Sequence, residues 1–377
     1  MDRTRLAQLL AELAPVPRVV AGGNAAVPWG LLDLVDRTAA GYRLFMLNAP
    51  AAIPEREGVV HETPFVGAGM RGSRRLRYLP ARLSHVPLLL ASTCPPDVVC
   101  VRTTEPRRGR VSLGVEVNVL PAAIEACRSR GGLVLAQFDP EMPFTLGEAE
   151  LDVGVLDGVL LPADTDRAGS LTTLPASSAD VDGANGPSRI GQLVADRVTD
   201  GSVLQLGIGR IPDAALARLV DRRRLYEWLD GNERVRFLRT ETINDPARIA
   251  GNPRMTSINT ALQVDLFAQV NASRIRSRIY SGLGGQTDFV VGALHAPQGQ
   301  AVIALESWHR KADASAIIPL LDEPTSAFHH TAVVTEQGVA EIFGQDERTQ
   351  ARNLIECAAH PRVRDELWEE AAGLGLC

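Results

Sequence analysis

The sequence predicts an α/β protein with two domains, each built on a mostly parallel sheet. Short apolar runs bounded by Gly and Pro recur along the chain, helical stretches separate these runs, and one long stretch has few large apolar residues. Alternating strands and helices are typical of parallel sheets with crossover connections. A chain of 377 residues is also long enough for two domains that each bury a core.

The predicted first domain spans residues 1–161. It opens on an amphipathic helix, without the hydrophobic stretch of a secretory signal. The apolar runs that predict its strands cover residues 18–21, 86–90, 98–101, 132–137 and 158–161. Each run is short and bounded by turn residues, as expected of strands buried in a parallel sheet.

A predicted linker over residues 162–187 separates this domain from the second, which covers 188–377. Ser188 is expected to cap a helix that ends near residue 198, and a strand over 203–208 and a helix opening at Pro212 follow. Near the C-terminus, residues 347–372 read as helix interrupted at His360-Pro361.

Composition disfavours several classes of protein. The net charge is −6 and the arginines are spread along the chain, which argues against nucleic-acid binding. No apolar run approaches the ~20 residues of a membrane span. Five cysteines without close paired spacing predict a reducing, cytoplasmic location. The adjacent His329 and His330 would point to opposite sides of an extended chain, so no metal site is expected.

Two glycine-rich turns are candidate binding sites. In the first, Gly207 and Gly209 stand between a predicted strand and helix, where backbone N–H groups can approach an anion or an oxyanion. A plain tight turn would explain the same pattern. The third glycine of the dinucleotide fingerprint is absent, which disfavours a Rossmann-type dehydrogenase.

The second turn contains Gly282, Gly284 and Gly285, followed by Gln286 and Asp288. Glycines at these positions permit positive φ and close approach of the backbone to a ligand. We interpret this turn as functional, because a purely structural loop rarely needs so many glycines beside an amide and a carboxylate.

The amino-acid sequence of these segments resembles that of the acetyl-CoA hydrolase/transferase family. The strings that carry the resemblance are QLGIGRIPDAALARL, SINTALQVDLFAQVNA, SGLGGQTDFVVGA, VVTEQGVAEIFG and AAHPRVRDEL, in the family's order. SLGVEVNVLPAAIEA and AQFDPEMPFTLGE extend it, less tightly, to the N-terminal half. Nearly the whole chain is covered.

The resemblance implies two Rossmann-like domains of the CoA-transferase (NagB/RpiA-like) type, an acyl-CoA site at their interface, and a homodimer. The implied substrates are a short-chain acyl-CoA and a carboxylate, with no metal or redox cofactor. In such enzymes a glutamate attacks the thioester, forming an anhydride and then a glutamyl-CoA thioester. The implied function is therefore CoA transfer or acyl-CoA hydrolysis.

The segment that should present this glutamate is missing. The helix after the first glycine turn runs directly into residues 223–230, which resemble a helix found several dozen residues later in the family. Glu241 resembles the Thr-Glu signature of the nucleophile, although its surroundings match the later stretch before Asn-Asp-Pro. Glu116, Glu141 and Asp288 are alternative nucleophiles, and a structural carboxylate is the alternative for Glu241.

Asn259, in Ser-Ile-Asn-Thr-Ala, matches a family motif near the active site, where its amide could orient the thioester or carboxylate. A turn or capping role is the alternative. The missing segment also leaves a second function open, a non-catalytic acyl-CoA-binding member or partner subunit. Loss of an internal strand would expose a sheet edge, which dimerisation could cover.

Overall fold

The computed structural model describes residues 3–13, 15–162, 186–207, 211 and 225–377. Its described residues divide into two compact units. The first takes those within Met1–Ala176 and Arg223–Ile243, and the second takes those within Ser177–Arg222 and Asn244–Cys377. Residues 225–243 were expected in the second domain, but they belong to the first unit. Most of the predicted linker and the helix predicted from Pro212 lie outside the described residues.

The first unit contains a seven-stranded parallel sheet in the order β10-β7-β5-β1-β2-β3-β4. Its helices up to residue 162 are α1 (Arg3–Ala11), α2 (Trp29–Thr38), α3 (Val86–Ala91) and α4 (Leu120–Arg128). Its strands there are β1 (Arg18–Ala21), β2 (Tyr42–Phe45), β3 (Val59–Thr63), β4 (Leu76–Tyr78), β5 (Val98–Thr103), β6 (Arg110–Ser112), β7 (Leu133–Phe138), β8 (Leu146–Gly147), β9 (Glu150–Asp152) and β10 (Gly158–Leu160).

Four of the five predicted strands are confirmed as β1, β5, β7 and β10. The prediction of a strand over residues 86–90 is wrong, since this run forms α3. Periodicity alone cannot separate a buried strand from a buried helical turn in so short a run. Pro87 lies in the first turn of α3, where its missing N–H costs no hydrogen bond. Val86 and Leu90, one turn apart, pack into the core.

The strand order reverses at the centre of this sheet. The chain adds β2, β3 and β4 on one side of β1 and then crosses to place β5 on the other side. In open α/β sheets, ligands bind outside the carboxyl ends of the strands at such a switch point. The fold therefore singles out the loops that follow β1, β2 and β5.

The chain then forms α5 (Gly186–Ala195) and β11 (Val203–Leu206) in the second unit and returns to the first. The returning residues form α6 (Leu225–Leu229), β12 (Arg236–Phe237) and α7 (Thr240–Ile243). They join the first unit because β12 pairs in parallel with β8 and because the Phe144 N–H donates to Asp230 Oδ1 at 2.7 Å.

The second unit contains a five-stranded sheet in the order β11-β13-β18-β22-β23, parallel except for β23. The remaining helices are α8 (Pro246–Ala250), α9 (Gln286–His295), α10 (Glu347–Asn353) and α11 (Arg364–Gly373). The remaining strands are β13 (Met255–Thr260), β14 (Gln263–Asp265), β15 (Val270–Asn271), β16 (Arg274–Ile275), β17 (Arg278–Ile279), β18 (Gln300–Ala304), β19 (Trp308–His309), β20 (Ala314–Ser315), β21 (Ile317–Ile318), β22 (Ala332–Thr335) and β23 (Gly338–Glu341). The predicted helical break at His360-Pro361 is confirmed, since it separates α10 and the turns that continue it from α11.

The two sheets differ at the strand that leads into a glycine turn, which is β1 before Gly22 in the first unit and β11 before Gly207 in the second. β1 has a neighbour on both sides, whereas β11 pairs with β13 alone in the described part of the chain. Val203 and Leu204 on β11 remain 39% and 36% exposed. Among the described residues, β11 is thus an edge strand, next to the point where the sequence predicts that an internal segment is missing.

Candidate active site

A buried carboxyl group lies at the switch point of the first unit. Glu116 follows β5 and β6 along the chain and is 4% exposed. Asn24, from the turn after β1, donates from Nδ2 to both carboxylate oxygens at 3.0 Å. Asn118 Nδ2 donates to Oε1, and the Gly23 N–H also donates to the carboxylate. The side chain is held entirely by neutral donors from two loops.

The surroundings of this carboxyl change its acidity. Burial raises the pKa of Glu116 to about 7, and the hydrogen bonds from Asn24, Asn118 and Gly23 only partly oppose this rise. Burial disfavours the charged form of a carboxyl, whereas donors favour it. Glu116 therefore exchanges a proton near neutral pH, which suits a general acid or base.

The backbone around Glu116 is unusual at three asparagines. Asn24, Asn48 and Asn118 have φ angles of 47°, 45° and 22°. Asn48, which follows β2, donates from Nδ2 to Asn24 Oδ1 at 2.7 Å. Positive φ is uncommon outside glycine, and such residues cluster at functional sites. Glycine is needed beside them, because a Cβ on Gly23 would lie 2.0 Å from the Leu47 carbonyl oxygen.

In the second unit, the carboxyl ends of β11 and β13 bring together a polar cluster, defined here as Gln205, Ser257 and Asn259. Asn259 Nδ2 donates to Ser257 Oγ at 2.8 Å and to Gln205 Oε1 at 3.1 Å. Ser257 Oγ in turn donates to Gln205 Oε1 at 2.8 Å. A Cβ on Gly207 would lie 3.6 Å from Asn259 Oδ1, so this turn adjoins the amide. Gly209, also predicted to bind, lies outside the described residues.

The second glycine turn leads into α9. Gly284 has a φ of 57°, which favours glycine, and Gly285 caps the helix. Gln286 begins the helix, and its Nε2 is buried without a hydrogen-bond partner among the described residues. Asp288 is fully buried and accepts a bond from Asn244 Nδ2 at 3.3 Å. The turn therefore places an unsatisfied amide beside a backbone conformation that favours glycine, and Gly282 lies just before it.

Glu241, the predicted nucleophile, is the second residue of α7 in the first unit. Its Oε1 lies 2.5 Å from Arg239 Nε, and the same guanidinium binds Glu125 at 2.6 Å. Its Oε2 is buried and has no hydrogen-bond partner among the described residues. A guanidinium stabilises a carboxylate and so weakens it as a nucleophile. This environment favours a structural ion pair.

Glu336 is a further carboxylate in the second unit. It accepts bonds from the Ser307 N–H at 2.9 Å, from Ser307 Oγ, and from Gln337 Nε2 at 3.2 Å. Burial alone would raise the pKa of Glu336, but the hydrogen bonds together outweigh burial and hold this pKa below its usual value. The carboxylate is therefore ionised at neutral pH and anchored to the turn between β22 and β23.

The site residues expected from the sequence fall into two groups. Glu116 and Glu241 lie in the first unit, whereas Asn259, Gly282, Gly284, Gly285 and Gln286 lie in the second. Glu141, an alternative nucleophile, is an exposed turn residue. The Gln205 and Ser257 side chains and the three asparagines around Glu116 were not predicted, because they come together only through strand pairing.

Two further features concern metals and membranes. His, Cys, Asp and Glu side chains do not form a group able to hold a metal ion within the described residues. None of the helices in that same part of the chain is long and apolar enough to cross a membrane.

Comparison with known proteins identifies relatives along most of the chain. The chain is 32% identical to the 4-hydroxybutyrate coenzyme A transferase of Clostridium kluyveri, covering 82% of this chain and 81% of that protein. It is 30% identical to the succinyl-CoA:acetate/propanoyl-CoA:succinate CoA transferase of Fasciola hepatica, covering 93% of this chain and 83% of that protein. Acetyl-CoA hydrolase of Yarrowia lipolytica is 28% identical over 38% of this chain and 28% of that protein.

Solved structures share the fold over almost the full length. RipA from Yersinia pestis matches with a TM-score of 0.87 at 25% identity, covering 100% of both chains. The 4-hydroxybutyrate CoA-transferase of Porphyromonas gingivalis matches with a TM-score of 0.75 at 25% identity, over 99% of this chain and 97% of that chain.

The alignment with the Clostridium enzyme is 362 residues long, but it includes only 82% of the 377 residues of this chain. The aligned length therefore exceeds the number of residues that this chain contributes to it. Part of the relative therefore stands opposite no residue of this chain, as expected if an internal segment is missing. Residues 222–371 match the family model described as the acetyl-CoA hydrolase/transferase C-terminal domain. Together with the relatives that span most of its length, this match establishes that the chain belongs to the acetyl-CoA hydrolase/transferase family.

Proposed function

We propose that this protein cleaves the thioester of a short-chain acyl-CoA, passing the CoA to a carboxylate or the acyl group to water. Similarity to CoA transferases over most of the chain carries this proposal. Retention of both glycine turns and of the amide at Asn259 supports it, because these features offer donors to a thioester oxygen.

The proposed roles of the second unit follow from its donors. Asn259 would orient the thioester or carboxylate through its amide, which is already fixed by Ser257 and Gln205. Gly207 and Gly209, together with the second glycine turn and Gln286, would hold parts of the CoA ester. The unsatisfied Nε2 of Gln286 is a donor that a ligand oxygen would complete.

Turnover is the direct test of this function. Acetyl-CoA, propionyl-CoA and succinyl-CoA would be incubated with the protein, with and without acetate, and CoA species separated by chromatography. Chromatography is preferred because the exposed Cys377 thiol would consume a colorimetric thiol reagent. Cleavage of any of these thioesters supports the proposal. Binding without cleavage would favour the non-catalytic family member instead.

The role of Glu241 is tested by intact-protein mass after brief incubation with acetyl-CoA. Glu241→Ala is compared with Glu125→Ala, which removes the other carboxylate on the Arg239 guanidinium. A CoA-sized adduct that disappears only in the Glu241 variant would make this residue the nucleophile. An adduct that survives in both variants, or is absent from the unmodified chain, would exclude that role.

A homodimer and a cytoplasmic location stay predictions. All five cysteines are free, as a reducing compartment allows. Sedimentation at several protein concentrations would measure the oligomeric state, and a monomer throughout would contradict the predicted homodimer.

A further inference from the structure

We propose that Glu116 is the general base that activates water, so that this family member hydrolyses acyl-CoA without a glutamyl intermediate. The inference rests on the proposed function and selects hydrolysis over CoA transfer. It assigns the catalytic carboxylate to a residue of the first unit, far in sequence from the segment that is missing.

The position of Glu116 carries the first step of the argument. The turn of Gly22, Gly23 and Asn24 follows β1, Asn48 follows β2, and Glu116 follows β5 and β6. Hydrogen bonds join the side chains of Asn24, Asn48 and Glu116 at the switch point of the sheet. This place in an open α/β sheet is where ligands bind.

The partners of Glu116 distinguish it from the structural carboxylates of the same unit. Glu62 is 4% exposed and bonds Arg18 Nε at 2.7 Å, and Asp139 is 5% exposed and lies 2.8 Å from Arg102. Glu116 is equally buried, but the described residues place no cation within ion-pair distance of it. A buried carboxyl group without a counter-ion lowers the stability of the folded protein, whereas a glutamine at the same position would carry no charge to bury. Folding alone therefore does not explain why a glutamate occupies position 116.

The same surroundings set its protonation. The groups that face the carboxyl are the amides of Asn24 and Asn118 and the N–H of Gly23, none of which titrates. Because burial raises the pKa of Glu116 to about 7, a large share of the molecules carry the basic form at neutral pH. A base with a pKa near the working pH is the most effective proton acceptor.

Access to the carboxyl favours a base over a nucleophile. Asn24 is exposed and covers both carboxylate oxygens, so Glu116 lies one side chain beneath the surface. A nucleophilic oxygen must itself reach the thioester carbon, whereas a base can act through one water molecule. The hydrogen bond between Asn24 and Asn48 fixes the amide that would hold this water.

The reaction balances without any further reagent. The water oxygen bonds to the thioester carbon while one water proton passes to the Glu116 carboxylate. The tetrahedral oxyanion then collapses, the C–S bond breaks, and its electron pair leaves with sulfur. Protonated Glu116 returns the proton to the CoA thiolate, and the products are the free acid and CoA thiol.

The test compares Glu116→Gln and Glu116→Asp with the exposed-carboxylate control Glu55→Gln, all judged folded by circular dichroism. We expect Glu116→Gln to lower kcat for acetyl-CoA hydrolysis about 10²- to 10⁴-fold, the usual contribution of a general base. Glu116→Asp should retain partial activity, and Glu55→Gln should match the unmodified chain. Full activity in Glu116→Gln would overturn the proposal.

Two further readouts make the result independent of folding. In the unmodified chain, kcat should rise with pH through about 7 and then level off, following Glu116 deprotonation. ¹³C-carboxyl NMR should show one glutamate titrating in that range, and this signal should be absent from Glu116→Gln. A rising limb near pH 7 that persists in Glu116→Gln would overturn the proposal.

A single turnover in ¹⁸O-water separates the base from a nucleophile and separates this inference from the proposed function. Label found only in the product acid supports the base, whereas label in the peptide containing Glu116 shows covalent attack and overturns it. If the unmodified chain cleaves no thioester, the proposed function itself fails. If it cleaves them and Glu116→Gln does so equally well, only the assignment of Glu116 fails.

Discussion

His330 makes the stability of the second unit sensitive to acid. Its ring is 1% exposed, and both ring nitrogens are buried without a hydrogen-bond partner among the described residues. Burial lowers the pKa of His330 from 6.5 to about 4, with a smaller effect from His329. The folded protein therefore holds this ring neutral, because protonation would place an unpaired charge in the interior.

The sign and size of the effect follow from proton linkage. The unfolded chain takes up a proton at His330 below pH 6.5, whereas the folded chain does so only near pH 4. Stability is thus complete above pH 6.5 and lost as the pH falls towards 4. The loss is about 2 kcal/mol at pH 5 and about 3 kcal/mol below pH 4, since one pKa unit is worth about 1.4 kcal/mol.

The measurement compares the unmodified chain with His330→Leu, a substitution of similar volume. Each protein would be unfolded in urea at pH 7.5 and at pH 5. Hydrogen exchange would be measured in peptides that contain β22, because this strand belongs to the second unit. The variant should lose about 2 kcal/mol less between the two pH values than the unmodified chain. His329→Gln, at the exposed neighbour, should keep most of the dependence. An equal loss in the unmodified chain and His330→Leu would refute the reasoning.

Two other predictions concern the first unit. Arg18→Met should lower the free energy of unfolding by about 3 to 5 kcal/mol, because it leaves Glu62 buried and unpaired, and Arg18→Met with Glu62→Gln should recover much of this loss in urea titrations. No recovery would contradict a charge effect. Cys100 and Cys127 should resist alkylation at pH 8 in the folded protein, because burial raises the pKa of each thiol to about 12, while the exposed Cys377 should react. Mass spectrometry would count the labelled thiols, and rapid labelling of all three would disagree with this burial.

The sequence was sufficient to predict the α/β fold, since strands buried on both faces leave continuous apolar runs between turn residues. The run at 86–90 misled because its buried residues are also one helical turn apart. The return of residues 225–243 to the first unit was not predictable, as it depends on the pairing of β12 with β8. No local pattern records which distant strand a segment will join.

The candidate site was only partly accessible from the sequence. Glycine turns and the amide of Asn259 stand out locally, because their residue types are unusual for a strand end. The sequence ranked Glu116 below Glu241, since Asn24, which covers Glu116, comes from a distant part of the chain. Asn24 is separated from Glu116 by 92 positions, and the guanidinium of Arg239 binds Glu125 across 114. The structure buries Glu116 among neutral donors and pairs Glu241 with Arg239, and the catalytic role of either carboxylate stays a prediction.

β11 is an edge strand in the described part of the chain, and this position links ligand binding to local stability. An edge strand opens at a lower free energy than a central one, because fewer contacts must break. Opening of β11 would carry away Gln205 and with it the support for Asn259. Any ligand held at that amide therefore favours the closed strand, and slower amide exchange along Val203–Leu206 would report binding even where no turnover occurs.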